Sequence, residues 1–176
     1  MYVQDYDEQL PNAINGWAGV NQPGGWVYYS AFPTSETPKS YDVTRGSLFS
    51  YVKNAQVYVC PSDAQGKAAG NSYAVNSCAF TMNIPLAVGK SLAALESTAS
   101  WALLTEEAIG RGDDSGAFLR TNSTDDGFLL YGFNFLSTRH QQGSNYLFVD
   151  GHSKWYRPEQ AFAAKLLTGG DSNTCR

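Results

Sequence analysis

The chain has 176 residues, room for one domain that buries roughly two thirds of its unfolded surface. Apolar residues make up 43% and charged ones only 16%, with 14% aromatic residues and 17 glycines; this favours a β-rich, loop-rich globular fold over a helical bundle or a disordered chain. The net charge is −4 with lysines and arginines scattered singly, so no basic stripe is present to neutralise phosphates, and a nucleic-acid partner is not expected.

Taken in order, residues 1–10 read as the last turns of a helix, with Tyr2 and Tyr6 as i, i+4 neighbours and Pro11 as the stop. Residues 12–40 form a long loop rich in Gly, Pro, Asn and aromatic side chains. Linkers are not studded with aromatics, so this loop carries its own packing residues. Two readings stand. The rings cover the core, or Trp17, Trp26 and Tyr28 form an exposed stacking platform for sugars, which would make the chain an adhesive or carbohydrate-binding module using residues 17–33.

Residues 41–157 read as the sheet region. A short helix is predicted over 46–54, from Leu48, Phe49 and Val52 at helical spacing. A strand Val57–Cys60 ends at Pro61, and Ser62–Gly70 is a polar turn. Strands follow at Ser72–Phe80 and, after a helical turn at 91–96, at Trp101–Thr105, which Glu106 and Glu107 close. The aromatic run 128–135 is a strand with Gly132 at a bulge. Asp150-Gly151 predicts a hairpin with a two-residue type I′ loop, because both central positions of that turn need φ > 0. Val149 then faces His152 and Tyr146 faces Trp155, which puts Tyr146, Phe148 and Trp155 on one buried face. Pro158 and Glu159 suit the first turn of a helix over 158–168, stopped by Gly169-Gly170. No apolar run approaches the ~20 residues that a membrane span requires.

His140, Asp150 and His152 are the residues closest to a metal or acid–base set. The turn already accounts for Asp150, no third ligand lies nearby in sequence, and His140 is expected to bond backbone and fix the hairpin's approach. No transition-metal site and no catalytic residue are expected: the chain has no G-x-S-x-G, no CxxC and no cysteine in a catalytic frame. The acidic pairs Asp113-Asp114 and Asp125-Asp126 are the candidates for a calcium site, since hard oxygen ligands on loops suit Ca²⁺. Their spacing is not that of an EF-hand, and a solvated acidic surface is the alternative.

His140, nine residues, then Asp150-Gly151 resembles the H-x9-DG signature of bacterial prepilin-type proteins, in the superfamily of type IV pilins and type II secretion pseudopilins. MYVQDYDEQLP resembles the end of that family's long N-terminal helix. VYVCPSD followed by NSYAVN resembles its middle signature, and LAALESTASWALLTEE the strand region before the final hairpin. The resemblance covers residues 1 to about 157. It implies a single α+β domain over 1–176: the end of an N-terminal helix on an antiparallel sheet, with long loops, a C-terminal hairpin and a short helix. His140, Asp150 and Gly151 would be structural. The implied function is that of a non-catalytic subunit of an extracellular or periplasmic filament, a pilus or a secretion pseudopilus. Its partners would be copies of itself, other pilin-like subunits and an inner-membrane assembly machine. Family members start with a basic leader and an apolar helix, which anchors them in the inner membrane before assembly. Met1 falls near the end of where that helix would lie, so either an upstream part is missing or the chain is a headless relative. Major pseudopilins also bind calcium in a loop of the C-terminal domain. Export favours oxidation, and a Cys60–Cys78 bridge would contribute on the order of 3 kcal/mol, with Cys175 free, intermolecular or a rival partner.

Overall fold

The computed structural model describes residues 2–108, 123–132, 134–168 and 175. Over these described residues the chain is a mixed helix and sheet protein with few, short helices and two sheets. Asp113, Asp114, the Gly110–Gly116 loop and the Gly169-Gly170 stop lie outside the described residues.

The smaller sheet has the order β1 (Ala13–Ile14), β4 (Leu86–Gly89), β3 (Phe80–Thr81), and both of its pairings are antiparallel. The larger sheet is mixed. Its order is β6 (Phe128–Leu129), β2 (Tyr73–Asn76), β5 (Ala102–Ala108), β8 (Ser144–Phe148), β9 (Ser153–Tyr156), and β7 (Phe135–Leu136) pairs with the end of β5. Among the described residues, β2 and β6 are the one pair within it that runs parallel. Two apolar clusters fill the core. One joins the small sheet to the aromatic loop through Ile14, Trp26, Tyr29, Phe80 and Phe128; the other packs Tyr146, Phe148, Ala161, Leu166 and Leu167 on the far end of the large sheet.

At the N-terminus the helix is a single turn, α1 (Tyr2–Asp5). Tyr2 stacks on Tyr6 with centroids 4.3 Å apart and meets Tyr51 of α2 (Phe49–Val52) edge-on, while the Glu8 carbonyl accepts from Leu92 N. The predicted strand Val57–Cys60 is instead a 3₁₀ turn over Ala55–Tyr58. The Asn54 side chain accepts from Gln56 N and so rewards a turn over an extended chain. The polar stretch after Pro61 holds a helix, α3 (Ala64–Ala69), with Asp63 capping Gly66 N and Gly70 ending it at φ 108°. The predicted 128–135 strand is two short ones separated by a turn, with Gly132 at φ 88°. β5 runs past Thr105, so Glu106 and Glu107 lie inside the strand rather than closing it.

The hairpin forms, but in a different register. Leu147 faces Ser153, Tyr146 faces Lys154 and Asn145 faces Trp155. Phe148 N donates to the His152 carbonyl and Gly151 N to the Phe148 carbonyl, which leaves a three-residue loop with Gly151 at φ 94°. A turn that closes on an αL glycine needs one residue more than a type I′ loop. A slip of one residue transfers every side chain of one strand to the opposite face. Trp155 is accordingly 37% exposed, while Tyr146 and Phe148 stay buried. The helix after it, α4 (Pro158–Ala163), starts with proline in its first turn as predicted.

One backbone approach fixes the small sheet. A Cβ added at Gly89 would sit 2.2 Å from the Leu10 carbonyl oxygen and 2.8 Å from that of Pro11. Backbone cannot yield as a side chain tip does, so Gly89→Ala should cost about 1–3 kcal/mol. Urea unfolding measures it, and an unchanged midpoint would contradict this packing.

Candidate functional site

Two groups of buried ionisable residues flank β5, and neighbouring residues of that strand organise them. Side chains alternate across a strand, so Glu106 and Glu107 serve opposite sides.

The first group gathers on Glu106, which is only 1% exposed. The His140 Nε2 lies 3.0 Å from Glu106 Oε1 and 3.4 Å from the Cys60 Sγ. The Arg139 guanidinium spans the group: Nη1 donates to Asp63 Oδ2 at 2.9 Å and to Glu106 Oε1 at 3.3 Å, and Nη2 to the Glu107 carbonyl at 3.2 Å. Asp63 is buried too, and its remaining capacity is used by Gly66 N and by the Ser123 hydroxyl, which donates at 2.6 Å. Burial, with Glu106 adding to it, pushes the Cys60 thiol above its ordinary value, so the cysteine is not an activated thiolate. Both contacts of His140 end on the same nitrogen. A nucleophile–base–orienter relay uses opposite nitrogens of the ring, so this is not such a relay.

His140 therefore does more than bond backbone. It does exchange backbone hydrogen bonds with Gly143, and its carbonyl accepts from Trp155 Nε1 at 2.8 Å, which ties the hairpin to the turn before it. Its ring, however, reaches into the core. Asp150 and His152 stay apart from it, at the exposed hairpin tip. There the Asp150 carboxylate accepts from His152 N and meets His152 Nδ1 at 2.6 Å, which holds Asp150 below its ordinary value. Gly151 supplies the positive φ.

The second group contains Glu107, Asp125 and Asp126. All three are buried, with one oxygen of each within 4.8 Å of the others. Asp126 also accepts from Gly16 N at 2.8 Å and from Phe128 N at 2.7 Å, clamping the aromatic loop to β6. Asn134 Nδ2 donates to Glu107 Oε1, whereas Glu107 Oε2 has no hydrogen-bond partner among the described residues. Burial first, then the charges of Asp125 and Asp126, push the Glu107 carboxyl well above the usual carboxylate range. Asp125 and Asp126 are thus not part of a solvated acidic surface.

The disulfide joins Cys78 to Cys175, with Cα atoms 4.9 Å apart, and Cys60 is a free, buried thiol. The expected Cys60–Cys78 pairing is therefore replaced. Cys60 is turned toward His140, while Cys78 sits in the apolar core against Cys175. The proposed sugar platform also comes apart. Trp26 is 2% exposed and donates from Nε1 to the Gly127 carbonyl, and Tyr28 is buried with the Arg45 guanidinium 3.4 Å from its ring centroid. Trp17 alone of the three is exposed, at 60%.

Glu106, Glu107, Arg139 and Asp63 are not among the site residues expected from the sequence, and Cys60 is expected there only as half of a disulfide. Two signals pointed to them. Paired glutamates at the end of an apolar strand are unusual in a core, and Asp63 followed by Gly70 has the spacing of a capped helix. No protein-family model matches the chain, and no curated protein or solved structure shows significant similarity to it.

Proposed function

We propose that the chain is the globular domain of a pilin-like or pseudopilin subunit: a non-catalytic structural protein that assembles with copies of itself and related subunits into a periplasmic or extracellular filament. One observation supports this reading above others. The two most specific stretches of the resemblance, CPSD at 60–63 and His140 of H-x9-DG, lie 80 residues apart and meet in a single buried cluster around Glu106. Motif residues spent on holding strands together suit a structural domain. A groove of about 180 Å³, walled by Leu48, Val52, Val57, Tyr73 and Leu147, offers an apolar face on which a neighbouring subunit or a helix would pack. The test is made in the native host with an epitope tag. Filament membership predicts an apolar segment encoded upstream of Met1 and co-sedimentation with sheared or periplasmic filaments. A translation start at Met1 together with a wholly soluble distribution would overturn it.

The same reading carries a calcium ion on Glu107, Asp125 and Asp126, three hard oxygen donors of which Glu107 Oε2 lacks a partner. Without the ion, Glu107 binds its proton more tightly folded than unfolded. The folded chain then holds more protons, so stability falls as pH rises from the ordinary carboxylate value through the raised one, by at most ~1.4 kcal/mol per pH unit. Thermal unfolding in chelator should show that decline, and Glu107→Gln should abolish it. Calcium should raise the melting temperature near neutral pH where magnesium does not, and Asp125→Asn should remove the response. Equal shifts with both ions, or none, would count against the site.

A further inference from the structure

We propose that Cys60, Glu106 and His140 bind a transition-metal ion of the zinc class, with a fourth coordination position facing solvent. The site is built on the cluster already described around Glu106, does not require that the chain be a filament subunit, is separate from the calcium group, and stands on geometry, charge and access.

Sequence spacing gave no reason to expect it. The ligands lie 34 and 80 residues from His140 and come together only because β5 and the segment before α3 close on the turn that precedes β8. One atom from each lies within 4.8 Å of the others. A tetrahedral ion with a metal–sulfur bond of about 2.3 Å and metal–nitrogen and metal–oxygen bonds of about 2.0–2.1 Å needs N···S near 3.5 Å and N···O near 3.3 Å. The distances here are 3.4 and 3.0 Å. The donor set is thiolate, imidazole and carboxylate, which suits a borderline-soft ion and disfavours calcium.

Hydrogen bonding alone serves this arrangement poorly. A single nitrogen meets both a thiol and a carboxylate, and one N–H or one lone pair cannot serve both well. Glu106 Oε2, fully buried, has no partner among the described residues. Charge points the same way. With a neutral thiol and imidazole, Asp63 and Glu106 bring two negative charges against the single positive charge of Arg139. A divalent ion bound to a Cys60 thiolate brings the buried group to neutrality, which an uncompensated interior charge strongly favours. Arg139 and Asp63 would then be the outer partners that orient Glu106.

An ion would enter past His140. The His140 side chain is 28% exposed and borders a cleft of about 390 Å³ with Arg139, Gln141, Asn145 and Trp155. Three protein ligands and one open position is the arrangement of zinc sites that hold water or a small ligand.

Cobalt(II) is the probe, added to the intact, disulfide-bonded chain without thiol reductants. One equivalent should bind and give a thiolate-to-cobalt charge-transfer absorption. Zinc should displace it, and a large excess of calcium should not. Cys60→Ser should abolish the absorption. His140→Gln should weaken binding by more than the ~10- to 100-fold that loss of an outer partner costs. Circular dichroism checks that each variant folds. Because a core variant can fail that check, X-ray absorption of the zinc-loaded wild-type chain supplies a second readout, in which one sulfur among nitrogen and oxygen scatterers is expected. Absence of saturable binding, a shell without sulfur, or displacement by calcium would each overturn the proposal.

Discussion

Replacing Arg139 with leucine should destabilise the chain by about 3–5 kcal/mol, the range seen when one partner of a buried ion pair is removed. The side chain is not an ornamental surface charge: it is 11% exposed and faces Asp63 and Glu106, which are 2% and 1% exposed. Its loss strands two carboxylates in the interior and leaves the Glu107 carbonyl without a donor at Nη2. For a domain of this size the melting temperature should fall by roughly 6–20 °C. Lysine should rescue little, because one guanidinium serves three acceptors in directions that a single ammonium cannot match. Pairing Arg139→Leu with Asp63→Asn should recover part of the loss, and urea unfolding of the four chains of that cycle measures the coupling. A cost under 1 kcal/mol for Arg139→Leu would mean that the cluster is hydrated.

The disulfide should matter as much. Cys78 and Cys175 are 97 residues apart, and cross-linking so long a loop removes about 4.7 kcal/mol of unfolded-state entropy in the chain-entropy account. Cys175→Ser, or reduction, should therefore lower stability by up to that amount. Cys60→Ser should leave the bridge intact. Peptide mapping under non-reducing conditions decides the pairing directly: a peptide joining the Cys78 region to the C-terminus is expected, and one joining Cys60 to Cys78 would refute it. A Cys175→Ser chain as stable as the parent would show that the bridge constrains nothing that the core has not already fixed.

Much of the fold was legible in residue pattern. The hairpin at Asp150-Gly151, the 91–96 turn and the apolar strand from Trp101 each rest on a local rule and appear in place, whereas the helix after Pro158 starts as the proline predicts but ends at Ala163, short of 168. The failures share a cause. Trp155 was assigned to the core because an Asp-Gly pair suits two kinds of loop that differ by one residue, and only tertiary packing chooses between them. Val57–Cys60 looked extended until the Asn54 cap, and helix α3 was missed although both of its caps were in view. The buried charges were hardest to see. Period-2 patterning marks apolar faces, so Glu106 and Glu107 read as the end of a strand. What holds Glu106 inside is an arginine more than 30 residues later, and what Glu107 bonds is the Asn134 amide, 27 residues later, contacts that no local window contains.

The place of β5 has a further consequence, for the order in which the chain acquires structure. Its neighbours come from both directions: β2 ends 26 residues before it begins, and β8 starts 36 residues after it ends. During synthesis the first edge can be paired as soon as β5 emerges, but the second stays open until residue 148 has left the ribosome. Until residues 139 and 140 have emerged Glu106 lacks both Arg139 and His140, and the strand presents an unsatisfied edge and a naked charge together. That charge discourages pairing with a stray strand from another chain, as an inward-pointing charge does on a protected sheet edge. The glutamate that ties the finished core together is thus also the residue that guards its unfinished centre.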